Sequence, residues 1–197
     1  MSHCLMTDGC CFISYTVTTS ECVRHRKWKG YKSGISSSFW NPLTEDGCPC
    51  GWYKFQTSCF LIPDVQLSWH DSKEYCQKLD AKLAELDTEP KDVFVVDLIK
   101  KGTEKRTWIG GSDIDKEGSW TWSTSGSLLN ITHQNWAKDQ PNNQPVDSDC
   151  LCIGTWYRYR WDDNTCTYTG AFVCEKTVRN RPQYIKSHAL SESKALG

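Results

Sequence analysis

The residues best equipped for chemistry lie between positions 140 and 174. Gln140-Pro141-Asn142 sets a proline between two amide side chains, and Asp147, Asp149, Asp162 and Asp163 follow beside Cys150, Cys166 and Cys174. Carboxylates and amide carbonyls are hard oxygen donors, the kind a cation such as Ca²⁺ gathers in sets of about six to eight. A zinc site would need clustered cysteine and histidine, which this stretch lacks. The chemistry expected here is calcium binding, on loops that disulfides tie down.

Catalysis finds no comparable pattern. His3, His25, His70, His133 and His188 are scattered, and none stands in an HExxH or G-x-S-x-G setting. His70 beside Asp71 reads as a surface pair at a helix start. No enzyme is expected.

The elements that must position these residues begin near Cys48. Trp52, Tyr53, Phe55, Phe60, Leu61 and Ile62 read as two short strands about a turn at Gln56-Thr57-Ser58. Ser68-Trp69-His70-Asp71 has a capping-box pattern, after which Trp69, Cys76, Leu79 and Leu83 fall on one helical face. A second helix is expected from Pro90, with Phe94, Val95, Leu98 and Ile99 inward and Gly102 as its stop. Short strands and long polar loops follow, including Trp108-Ile109-Gly110, Trp120-Thr121-Trp122, and a period-two run from Tyr157 to Trp161. Helices followed by strands make an α+β domain.

The bulk numbers agree. Twelve cysteines, an even count without zinc-like spacing, read as a disulfide framework made in an oxidising compartment. Met1-Ser2-His3-Cys4 shows no signal-peptide pattern, and no apolar run is long enough to span a membrane. The net charge of −1 covers an acidic body between slightly basic ends, which does not suit nucleic acid. Residues 1–47 carry Cys4, Cys10, Cys11 and Cys22 without sustained periodicity. Their basic stretch from Arg24 to Lys32 reads as a solvated linker, with a dibasic cleavage point or a contact for sulfated polysaccharide as alternatives. The polar end, 177–197, is expected to be disordered.

From Cys48 to Lys176 the chain resembles the C-type lectin-like domain family. Trp108-Ile109-Gly110-Gly111 is similar to its WIGL signature, with Gly111 in place of Leu. Gln140-Pro141-Asn142 resembles its sugar-specificity tripeptide, and Trp161-Asp162-Asp163 its WND motif. The resemblance implies a fold of two helices, small antiparallel sheets and long metal-binding loops over 48–176. It also implies disulfides Cys48–Cys59 (the long form), Cys76–Cys174 and Cys150–Cys166. The layout looks most like soluble, perlucin-like invertebrate lectins. Cys50 and Cys152 lie outside the family pattern; they pair with each other, pair with the N-terminal four, or link two chains as a homodimer.

By the same resemblance, Gln140, Asn142, Asp162 and Asp163 ligate calcium around a cis Gln140–Pro141 bond. Sugar hydroxyls then complete the coordination and meet Gln140, Asn142, Asp162, Asp163 and Tyr157. Ser148 stands where an acidic ligand is usual, and Asp147 is expected to compensate. An auxiliary calcium site would use Asp113, Glu117, Asn143 and Asp149. The tripeptide mixes a galactose-type Gln with a mannose-type Asn, leaving the sugar class open. Trp156, Tyr157 and Tyr159 read either as sugar-stacking aromatics or as sheet packing. Trp108, Trp120, Trp122 and Trp136 read as core. The sequon Asn130-Ile131-Thr132 permits glycosylation. The expectation is a secreted, calcium-dependent glycan-binding lectin in innate recognition; the alternative is a calcium-independent module for a protein partner or a mineral or matrix surface.

Overall fold

The computed structural model describes residues 12–16, 21–25, 47–49, 51–129 and 133–178. In the N-terminal stretch, β1 (Phe12–Thr16) and β2 (Glu21–His25) form an antiparallel hairpin, with Phe12 opposite His25 and Thr16 opposite Glu21. That region was expected to lack periodic structure; strands of five residues are too short to raise a sustained pattern. The basic stretch beyond His25, Cys50, the Asn130 sequon and residues 179–197 lie outside the described residues.

The compact unit that carries the motifs runs from Tyr53 to Thr177, against an expected 48–176. It opens with β3 (Tyr53–Phe55) and β4 (Ser58–Leu61), joined by a turn at Gln56 with φ of 51°. Helix α1 (Trp69–Lys78) starts where the capping pattern placed it: Ser68 Oγ accepts the Asp71 N–H at 3.2 Å. Trp69 and Cys76 are its buried anchors. Leu83, assigned to the same helical face from sequence, lies instead in β5 (Lys82–Leu83), because Asp80 takes a left-handed φ of 55° and turns the chain. Helix α2 (Glu89–Ile99) has Pro90 in its first turn and buries Val95, Leu98 and Ile99.

The remaining strands are β6 (Arg106–Ser112), β7 (Thr121–Trp122), β8 (Cys150–Gly154), β9 (Arg160–Asn164), β10 (Ala171–Phe172) and β11 (Cys174–Thr177). One sheet runs β3-β4-β11-β5 and is antiparallel throughout; the other runs β10-β6-β8-β9, with β7 added to β6. One pairing departs from the antiparallel expectation: β10 lies parallel to β6, Phe172 opposite Trp108. Only Val173 separates β10 from β11, so one extended run serves both sheets. Val173 stitches them, donating to Trp108 O at 3.1 Å and accepting from Ala84 N at 2.8 Å.

The core lies between the helices and the second sheet. Trp108 and Trp161 are fully buried and Trp122 nearly so, while Trp120 and Trp136 pack against the same cluster half-covered. Trp122 and Trp136 each meet Trp161 edge-on, with ring centroids 5.9 Å apart. The glycine pair of β6 has a steric reason. A Cβ at Gly110 would lie 2.8 Å from the Leu83 carbonyl oxygen, and one at Gly111 would lie 2.5 Å from Leu151 Cδ2. Leu151 fills the volume that a leucine at 111 would need.

Cys76–Cys174 and Cys150–Cys166 form as the resemblance implied. Cys48 and Cys59 are each disulfide-bonded and fully buried. Cys152 is a free thiol with no exposed surface on β8, so it cannot reach a second chain. Burial pushes its titration far upward.

Candidate functional site

The loop between β7 and β8 carries the Gln140–Asp149 motif and turns repeatedly on residues that tolerate left-handed backbone. Asp139, Asn143 and Asp147 have φ of 64°, 51° and 67°. Gln140–Pro141 is cis, as the resemblance implied, and Gln144–Pro145 is a second cis bond that sequence reasoning did not foresee.

The tripeptide is fastened to β9 through Asp163. Its Oδ1 accepts the Asn142 N–H at 3.0 Å and its Oδ2 accepts the Asn143 N–H at 2.5 Å; Asp163 is 2 % exposed. Charged acceptors make the stronger class of hydrogen bond. Gln140 turns the other way and donates from Nε2 to Tyr157 Oη at 3.0 Å; its Oε1 is buried with no hydrogen-bond partner. Ser148 serves the loop itself, its N–H donating to Asn143 Oδ1 at 3.0 Å and its hydroxyl to the Pro145 carbonyl. Asp147 is exposed.

Asp162 does not join this group. Neighbouring strand residues point to opposite faces, and its carboxylate accepts from Trp156 Nε1 at 3.2 Å and from Asn164 Nδ2 at 3.3 Å. Burial raises its titration; the Trp156 bond opposes the shift and the charge of Asp163 adds to it.

The residues assigned to an auxiliary ion are linked in two pairs. Asn143 Nδ2 donates to Glu117 Oε2 at 3.0 Å, and the Asp113 N–H donates to the Asp149 carbonyl at 3.2 Å. Asp113 is buried, one oxygen accepting the Gly118 N–H at 2.8 Å and the other, Oδ1, having no partner. Burial raises its pKa to about 6; the Gly118 bond opposes this, and the charges of Glu117 and Asp149 add to it. Among the described residues, no three His, Cys, Asp or Glu side chains converge closely enough to hold a metal ion.

Two aromatics left open by the sequence are exposed. Trp156 and Tyr157 sit on a 3₁₀ turn, Thr155–Tyr157, rather than on a strand. Arg158 and Tyr159 then take φ of 55° and 63°, and β9 begins only at Arg160. Hydrogen bonds from Arg158 N to Thr155 O and from Tyr159 N to Gly154 O close the turn, which the alternating Tyr-Arg pattern concealed. Sequence reasoning also missed buried Asp92, which accepts from Trp161 Nε1 at 3.1 Å and Asn135 Nδ2 at 2.7 Å. It thereby ties α2 to the segment leading into the loop.

Residues 65–176 match the family described as "Lectin C-type domain". A perlucin-like protein of Mytilus galloprovincialis is 31% identical over 130 residues, covering 64% of this chain and 81% of that protein. The hepatic lectin of Gallus gallus is 32% identical over 135 residues, 66% of this chain and 62% of its own length. Other curated relatives are longer; the chain spans 31% of the C-type lectin domain family 4 member M of Nomascus concolor. Among solved structures, the carbohydrate-recognition domain of the mouse scavenger receptor C-type lectin superposes with a TM-score of 0.62 at 27% identity, covering 68% of this chain and all of that one. Proteins named as lectins and as antifreeze proteins are among those matched, in keeping with a non-enzymatic binding domain. Among the described residues, no helix is long and apolar enough to cross a membrane.

Proposed function

We propose that this chain, which belongs to the C-type lectin domain family, is an extracellular binding module that works without calcium at its tripeptide loop. Its ligand, a protein partner or a mineral or matrix surface, meets the loop face from Gln140 to Asp149. One observation carries the reading: each oxygen of Asp163 accepts a backbone amide, from Asn142 and from Asn143, so amide pairing by itself fastens the loop to β9. Ser148 brings no carboxylate, and Asp162 is engaged on the other side of the strand. The face itself offers exposed Asn142, Val146 and Asp147. The cysteine framework supports an extracellular setting. Likeness to the mussel perlucin-like protein supports a place near the soluble invertebrate members.

A second reading, the calcium-dependent glycan lectin, draws on two orphan oxygens. Gln140 Oε1 and Asp113 Oδ1 are buried without partners, and a hard cation would satisfy such atoms. The residues suited to it are Asp113, Glu117, Asn143 and Asp149, where the ion would balance the crowded carboxylates. Glycans of galactose or mannose type would then be read beside Gln140, Asn142, Asp163 and Tyr157.

The test places the full chain on a glycan array in calcium and in EDTA, and on immobilised matrix protein in EDTA. Matrix retention in EDTA that is lost with Val146→Asp and Asp147→Lys is the expected outcome. Sugar binding that EDTA reverses and Asn142→Ala abolishes would overturn the proposal in favour of the second reading.

A further inference from the structure

Away from the tripeptide, where β6 begins, Arg106 stands beneath three aromatic rings. Its guanidinium carbon lies 5.6 Å from the Trp108 ring centroid, 5.5 Å from Trp156 and 4.9 Å from Tyr168. Such cation–π contacts hold a guanidinium in one orientation. Its hydrogen bonds are few and long: Nη1 to the Thr169 carbonyl and Nη2 to Asn164 Oδ1, both at 3.4 Å, with Nε buried and without a partner. Among the described residues, no carboxylate lies within ion-pair distance of it. Cys152 and Asp162 also feel its charge from the same face, yet no carboxylate bonds it directly, and a cation held this rigidly with weak hydrogen bonds suits an anion.

Arg106 lines a pocket of about 420 Å³, a volume within the range of small-molecule sites. Thr103, Thr169, Gln66 and Trp156 share its wall. Trp156 and Tyr168 are each 44% exposed, large aromatic faces in the open. Glu104 is on the wall too, one of its oxygens accepting from Gln66 Nε2, and Lys105 beside it also lines the pocket. Asp162 lies on the same face of the sheet, held by Trp156 and Asn164, and it acts on Arg106 through charge without a direct bond.

We propose that this pocket binds an acidic sugar, its sulfate ester or carboxylate accepting from the Arg106 guanidinium. A planar guanidinium suits two-oxygen recognition of either group. Hydroxyl and amide side chains on the wall match sugar hydroxyls, and the exposed rings match the apolar face of a pyranose. A polyanion would need several cations in line, and this pocket has one fixed cation beside a net-negative chain. The site is separate from the tripeptide loop and does not depend on how that loop is read.

The test titrates the full chain with glucuronic acid, galactose 6-sulfate, neutral galactose and hexaglutamate. Tryptophan fluorescence and the Arg106 Nε–H resonance report binding. Glucuronic acid, galactose 6-sulfate or both should shift that resonance saturably at millimolar concentration, the responding probe identifying the group. Arg106→Gln should weaken binding roughly tenfold or more, and Arg106→Lys less. Equal binding of galactose, preference for hexaglutamate, an unmoved resonance, or undiminished binding by folded Arg106→Gln would each overturn the proposal. If Arg106→Gln does not fold, the wild-type resonance decides.

Discussion

Asp163→Asn asks whether the tripeptide loop is held by protein or by metal. The carboxylate accepts two backbone N–H groups, Asn142 at 3.0 Å and Asn143 at 2.5 Å, in a site with almost no solvent. An amide keeps one acceptor and turns an NH₂ against the other backbone donor. One charged hydrogen bond is lost and one buried N–H is left facing a donor, a cost of about 2–4 kcal/mol. At about 3–4 °C per kcal/mol for a unit of this size, the melting temperature in EDTA should fall by roughly 6–16 °C. Asn142→Ala is the control: its side chain is exposed and its backbone N–H survives, so stability should stay within about 0.5 kcal/mol. Circular dichroism melts of both variants, in EDTA and in calcium, give the comparison. If Asp163→Asn melts in EDTA at or above the wild-type temperature and loses stability only in calcium, the carboxylate serves a cation and the reasoning fails.

Asp113 gives the chain a pH signature. Its folded pKa, about 6, lies above the ordinary 3.8, so the folded state keeps a proton that the unfolded state releases, and stability falls as pH rises between those values. Asp113→Asn should therefore gain about 1–2 kcal/mol at pH 7.5 and nothing near pH 3.5, as read by urea titration at the two pH values. Gly111→Leu, which restores the family's residue, should destabilise by about 2–3 kcal/mol against Leu151. Adding Leu151→Ala should recover much of that loss, since the two residues share one volume. Native Cys152 should resist a thiol reagent that modifies it readily in denaturant, and its replacement by Ser should leave the non-reducing gel pattern unchanged.

The sequence disclosed most where a residue's type is enforced by local geometry. Ser68 caps α1, Pro90 opens α2, and the cysteines of the two assigned bridges meet as the motif order implied. It misled where a pattern is silent about direction. Asp162 and Asp163 are chemically identical neighbours, yet a strand sends them to opposite faces, and only pairing partners reveal which reaches the loop. Tyr157-Arg158-Tyr159 alternates like a strand but folds into a turn, because hydrogen bonds to Gly154 and Thr155 outweigh the pattern. Gly111 stands in place of the motif's Leu because Leu151 occupies the space, which a single sequence cannot show. The Arg106 pocket draws Gln66, Arg106, Trp156 and Thr169 from four separate stretches, and no spacing rule joins them.

The pairing of β4 with β11 bears on how the domain carries load. Tyr53 lies opposite Phe60 and Thr177 opposite Ser58, so the chain enters this sheet at one end and leaves it at the other. Tension applied at those two points would shear the β3-β4 and β4-β11 ladders along their length, loading all the rungs together. It would then meet the covalent link at Cys76–Cys174, which bypasses everything between those residues. Asp113, Gln140, Arg106 and Asp163 all lie inside that closed loop. A ligand held there can be tugged against the domain's anchorage while the binding loops remain mechanically slack.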